Sequence, residues 1–186
     1  MRLLIASILC ITVLLSGCSH ANAPTDKALA LRNRVLDSNG CSFSATITAD
    51  YGEKVYQFSM DCVSDSEGNL TFSVVEPTSI AGITGKITDS GAGITFDDKV
   101  LAFPTIADGQ VTPVTAPWLL IKTLRSGFLR GCTTGEESYQ IIIDDTYAEE
   151  ALRLHISVEN GVPAESEIFW KERRILTVSV ENFNYL

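Results

Sequence analysis

Cys41–Cys62, "CSFSATITADYGEKVYQFSMDC", carries a cysteine at each end and two alternating runs between them. Cys41, Phe43, Ala45, Ile47 and Ala49 alternate with Ser42, Ser44, Thr46 and Thr48. On the return, Tyr56, Phe58, Met60 and Cys62 alternate with Gln57, Ser59 and Asp61. Side chains along a strand point to opposite faces in turn, so each run has one apolar and one polar face. The stretch predicts a β-hairpin with its apolar face in a core. A loop symmetric about Tyr51-Gly52 sets Ile47 opposite Tyr56, Ala45 opposite Phe58, Phe43 opposite Met60 and Cys41 opposite Cys62. A slip of one residue would oppose apolar to polar side chains, which a half-buried sheet disfavours.

Whether those two thiols are oxidised depends on the compartment. The chain begins "MRLLIASILCITVLLSGCS". Arg2 is a minimal positive start, and Leu3 to Leu15 is apolar apart from Ser7 and Thr12. That run is shorter than the ~20 residues a bilayer span needs and fits the apolar region of a signal peptide. Leu15-Ser16-Gly17-Cys18 resembles the lipobox of bacterial lipoproteins, in which the cysteine is acylated and becomes the new N-terminus. Residues 1–17 are therefore expected to be a lipoprotein signal peptide, Cys18 the lipidation site, and 18–23 a lipidated tether containing His20. Two or three acyl chains, at ~0.8 kcal/mol per buried methylene, anchor stably. The expected location is the extracytoplasmic face of the cell membrane.

With Cys18 used by lipid, Cys41, Cys62 and Cys132 remain, one pair and one remainder. The hairpin register favours a Cys41–Cys62 disulfide, with two free buried thiols as the alternative. Such a bridge contributes ~2–4 kcal/mol. No histidine or further cysteine pair has zinc-site spacing, so no metal is expected. Cys132, in "RGCTTGEE", is left open as a free thiol, an intermolecular partner or a competitor for the pair.

Residues 24–186 make one domain's worth of chain. The net charge of −9 argues against nucleic acid and against electrostatic docking to anionic lipid. Pro24 to Leu36 predicts a helix with Ala28, Leu31, Val35 and Leu36 along its apolar stripe. Strands are expected at Leu70 to Glu76, in "GITGKIT" and "GITFDDKVLAF" about a turn at "DSGA", and at Tyr139 to Asp144, Ala151 to Val158, Ala164 to Trp170 and Arg174 to Phe183. This spacing predicts a large antiparallel sheet. "TAPWLLIKTLRSG" interrupts it as a helix with Thr115 as cap, Pro117 in the first turn and Gly127 at the end. Trp118, Leu119, Leu120, Ile121 and Leu124 make it apolar over more than half its girth, so it must be buried, against the concave face of the sheet.

Other motifs carry less. "GITGKIT" lacks the spacing and the hydroxyl of a phosphate loop and is read as a strand edge. "DSGA" resembles an aspartic-protease turn, but Asp89 has no second copy to share a proton with. His155 alternates like a surface strand residue and completes no triad. "DDTYAEE" lacks the spacing of a dedicated calcium loop and is read as a solvated acidic turn. No catalytic residue and no cofactor are assigned.

The order of elements resembles the LolA/LolB-like lipoprotein-carrier fold, and within it the LolA-like lipoproteins of clostridial-type Gram-positive bacteria. "FSATITADYGEKVYQFSM", "VVEPTSIAGITG" and "PVTAPWLLIKTLRSGFL" carry the likeness, which covers Pro24 to Phe183. It implies a mainly β fold with a few helices: a strongly curved antiparallel sheet, an incomplete barrel lidded by α-helices. In that family the hollow receives acyl chains of lipoproteins, while some clostridial members act as partners of cell-wall enzymes. LolA is a soluble carrier, whereas this chain carries an anchor, as LolB does. The function so implied is non-enzymatic binding of a lipid or acylated ligand, lined by Phe43, Ile47, Tyr56, Phe58, Phe72, Trp118 and Ile121. The alternative is a tethered module that holds or activates an envelope protein, such as a cell-wall or germination enzyme.

Overall fold

The structure, a computed structural model, describes residues 23–50, 52–96, 99–103, 106–107, 110–135 and 138–186. The expected signal peptide, Cys18 and the expected tether up to residue 22 lie outside the described residues. Helix α1 (Ala23–Asp37) leads into β1 (Gly40–Asp50), β2 (Val55–Asp65), β3 (Leu70–Glu76), β4 (Thr84–Thr88), β5 (Gly91–Phe96) and β6 (Lys99–Phe103). A short hairpin, β7 (Ile106–Ala107) and β8 (Gln110–Val111), and a 3-10 turn precede helix α2 (Ala116–Ser126). Then come β9 (Phe128–Thr134), β10 (Ser138–Asp144), β11 (Leu152–Glu159), β12 (Val162–Trp170) and β13 (Arg173–Tyr185).

Eleven strands form one antiparallel sheet in the order β6-β5-β4-β3-β2-β1-β13-β12-β11-β10-β9, curved and unclosed. Two meanders thus run outward from the central β1–β13 pair, and β6 and β9 are left at opposite margins. The chain between them must cross from one margin to the other. It does so with α2, and that is why an apolar helix ends up on the concave side. The expected architecture, a curved open sheet lidded by helices, is the one observed.

The hairpin that opens the sheet forms with the predicted faces but a different register. Ile47 stands opposite Phe58, Ala45 opposite Met60, Phe43 opposite Cys62 and Cys41 opposite Ser64. The strands stay paired down to Asp50 and Val55. The carboxylate of Asp50 accepts the Gly52 N–H at 2.7 Å, and Gly52 sits at φ 87°, so the turn is centred one residue further on. That moves every cross-strand partner by two. A shift of two keeps each side chain on its face, so the alternation is satisfied either way.

The expected Cys41–Cys62 disulfide is corrected by the same finding. Both are free thiols, set diagonally, with Cys41 Sγ 3.1 Å from the Ser64 hydroxyl. Burial pushes both thiols up from their ordinary pKa, which keeps them protonated and unreactive.

In α1, Ala28, Leu31 and Val35 are buried as expected, but Leu36 stands off the stripe at 44% exposure. β9 is a strand that the pattern did not reveal. Arg130, Gly131 and Cys132 break its alternation, and a bulge interrupts its pairing with β10.

Candidate functional site

The concave face of the sheet is where a ligand of this fold would sit, so its occupancy decides what the domain can bind. On β1, Phe43 and Ile47 point inward and are buried; Phe43 stacks on Phe183 with ring centroids 5.6 Å apart. On β3, Phe72 is buried with its ring lying over Gly85 of β4. A Cβ on Gly85 would come within 2.5 Å of that ring. Phe58 on β2 packs against the same cluster from a half-buried position, whereas Tyr56, nearer the loop, is 52% exposed.

Helix α2 supplies the rest. Ala116, Pro117, Trp118, Leu119, Leu120, Ile121, Thr123 and Leu124 are all buried. Trp118 and Ile121 belong to one continuous cluster with Phe43, Ile47 and Phe72. Five of the seven residues expected to line a hollow are therefore core residues in mutual packing. Phe58 flanks that core, and Tyr56 lies outside it. Among the described residues, the middle of the concave side is filled by the protein's own side chains, while Leu101, on the same face at the β6 margin, is 66% exposed.

Three side chains fasten α2 in place. Arg32 of α1 donates from Nε to the Leu124 carbonyl at 2.8 Å and from Nη2 to the Gly127 carbonyl at 2.6 Å. These carbonyls lie where a helix leaves its acceptors unsatisfied and where a cation meets the negative end of the dipole. Arg125 donates to the Ser66 carbonyl at 2.6 Å, in the β2–β3 turn. Lys122 pairs with Asp89 at 3.0 Å and lies 4.7 Å from the Trp118 ring centroid. Asp89, the residue of the "DSGA" turn, is 80% exposed in this pair, so it steadies a lysine over an indole. Thr115 precedes α2 but makes no side-chain cap bond to it, contrary to expectation, because the 3-10 turn already runs into the helix. Its hydroxyl donates to the Thr112 carbonyl instead.

On the convex face, the acidic turn is not free to bind cations. Asp144 is buried and accepts from Arg130 Nε at 2.6 Å and from Arg153 Nε at 2.8 Å. Asp145 accepts the Leu152 N–H at 2.8 Å, and Glu150 pairs with Lys171 at 3.1 Å. Groups of three metal-ligating residues are absent among the described residues. His155 lies against Phe169, ring centroids 4.6 Å apart. Cys132 is a half-buried free thiol on β9, and burial raises its pKa.

Burial alone would raise the Asp144 carboxyl, but the hydrogen bonds and charges of Arg153 and Arg130 outweigh it and hold the carboxyl below the usual range. A carboxyl held lower in the folded than in the unfolded chain stabilises above the unfolded value of ~4, and loses that contribution as pH falls through the folded one. Both arginines are about half exposed and regain water when the carboxylate is lost, which discounts the effect. Asp144→Asn is expected to cost ~1–3 kcal/mol at neutral pH in urea unfolding, with the gap to the parent narrowing in acid.

Protein family models do not match this sequence, and neither does any curated protein. Solved structures do match in fold. The putative outer membrane lipoprotein-sorting protein domain from Vibrio parahaemolyticus is 7% identical, with 89% of this chain and 93% of that chain covered at a TM-score of 0.51. A LolA superfamily protein from Nitrosomonas europaea is 9% identical over 86% and 93% of the two chains, at a TM-score of 0.45. The structure of the CwlD amidase from Clostridioides difficile in complex with the GerS lipoprotein gives 12% identity, 87% and 95% coverage and a TM-score of 0.41. At these identities the likeness is one of fold. The first of the three shares the open, helix-lidded half-barrel.

Proposed function

We propose that this chain is a non-enzymatic binding module, held at the extracytoplasmic face of the membrane by lipid on Cys18, and that its ligand is an envelope protein. The observation that carries the reading is the filled hollow. An acyl chain would have to displace Trp118, Leu119, Leu120, Ile121 and Leu124, each worth ~1.5–3 kcal/mol when buried. The total is roughly 10 kcal/mol. A chain drawn from a bilayer is already out of water there, so its transfer does not offset that exposure.

What remains for recognition is the exposed surface, including the margins of the sheet. Tyr147, on the β10–β11 connection, is 83% exposed, and Leu101 on β6 is 66% exposed. The test is a photo-crosslinking amino acid placed in turn at these two positions in living cells. A discrete protein adduct supports the module. Adducts to lipid alone oppose it. Labelled palmitate entering the parent but not Cys18→Ala checks the anchor separately.

A further inference from the structure

A groove of ≈320 Å³ runs between α1 and the β10–β11 side of the sheet. Lys27 and Arg34 both line it, seven residues and so about two turns apart on one face of α1. Ser138, Tyr139 and Asn160 line the opposite wall. Lys27 Nζ lies 5.8 Å from the Tyr139 ring centroid, and the Arg34 guanidinium lies 5.7 Å from that of Tyr185. Arg34 also reaches the Gly161 carbonyl at 3.4 Å. Among the described residues, neither cation has a carboxylate at ion-pair distance, since the ion pairs found there use other residues. Among the described residues, none that lines the groove is acidic; in sequence, Glu136 and Glu137 directly precede Ser138, and Glu159 adjoins Asn160 at the exposed end of β11.

This is a cationic, hydroxyl- and amide-lined groove in a chain of net charge −9. Opposite charges more than ~8–10 Å away are screened at physiological salt, so the local lining decides what enters. Its position says where such an anion would come from. Cys18 lies five residues before Ala23, where α1 begins. At ~3.3–3.6 Å per residue, the start of α1 stays within ~18 Å of an acylated Cys18. Lys27 is only ~6 Å further along the helix.

We propose that this groove receives the phosphate head groups of anionic phospholipids in the membrane that holds the anchor, setting the α1 side of the domain against the bilayer. The proposal rests on the lipid-anchor reading above. It refines the expectation from net charge, which averages over a surface that the groove does not share.

The test uses the full lipidated chain in nanodiscs of phosphatidylcholine, with and without phosphatidylglycerol, read by amide hydrogen exchange. Phosphatidylglycerol is expected to slow exchange at residues 27–34, 138–139 and 158–161. Lys27→Glu combined with Arg34→Glu is expected to return it to the phosphatidylcholine rate. Should charge reversal disturb the fold, seen as lost protection in the β1–β13 pair, Lys27→Gln with Arg34→Gln gives the same comparison without it. Equal exchange in both kinds of disc overturns the proposal. So does protection produced by inorganic phosphate in phosphatidylcholine discs but not by phosphatidylglycerol, which would mark a free-anion site. A chain that takes no acyl label at Cys18 removes the premise and the proposal together. A labelled chain without lipid-dependent protection overturns the groove alone.

Discussion

Trp118→Ala is expected to lower the unfolding free energy by about 3–5 kcal/mol. The indole is among the largest fully buried side chains. It belongs to the continuous core cluster that α2 shares with the sheet and is roofed by Lys122. The helix cannot collapse onto the space left, because Arg32 of α1 holds the carbonyls at its C-terminal end and its own Arg125 donates to the Ser66 carbonyl in the β2–β3 turn. Part of the cost is therefore an unfilled cavity, beyond the lost transfer of apolar surface. A domain of this size has about 5–15 kcal/mol in all, so the variant should be visibly marginal in urea. Were the hollow a ligand site with α2 as a loose lid, the same change would cost well under 2 kcal/mol, since an exposed or adaptable side chain leaves little behind.

Gly40→Ala is expected to cost about as much, roughly 3–5 kcal/mol, by a different route. Gly40 opens β1 at φ 138°, and a Cβ built there would lie 2.0 Å from the Ser64 carbonyl oxygen. The obstruction is backbone of the paired strand, which no rotamer change can relieve. Either the first pairs of β1 and β2 separate or the backbone changes region. Separation would also loosen the C-terminus, because the Leu186 N–H donates to the Gly40 carbonyl at 3.0 Å. Thermal unfolding of the variant beside Gly52→Ala supplies the control. Gly52 has a positive φ of 87° but open space around it, so only the strain component should appear there.

These two residues also show what can be read from sequence and what cannot. The faces of β1 and β2 follow from period-two alternation, a local property, and they are as expected. Their register does not, because a shift of two satisfies the same alternation. Only the turn decides it, through the Asp50 bond to Gly52. The disulfide inferred from that register fell with it. β9 escaped notice for a related reason, since its bulge and polar residues hide the period. The apolar girth of α2 announced burial, and the topology gave it one place to go. Whether it would line a cavity or fill one depended on the fit of side chains from β1, β3 and α2, which no single segment encodes. The aromatic residues chosen as lining lie on the inner face, with Tyr56, at the loop end of β2, left half exposed there. The α1 groove was invisible to sequence, because Tyr139 and Asn160 meet Lys27 and Arg34 only once the sheet has curled.

The account turns on the hollow being occupied from within. Native mass spectrometry of the mature protein, released from detergent and titrated with palmitate, counts non-covalent acyl ligands directly. The predicted spectrum shows the chain with its covalent anchor and no saturable adduct. One palmitate bound per chain at saturation, lost in a variant carrying a larger side chain at Gly85, would contradict it.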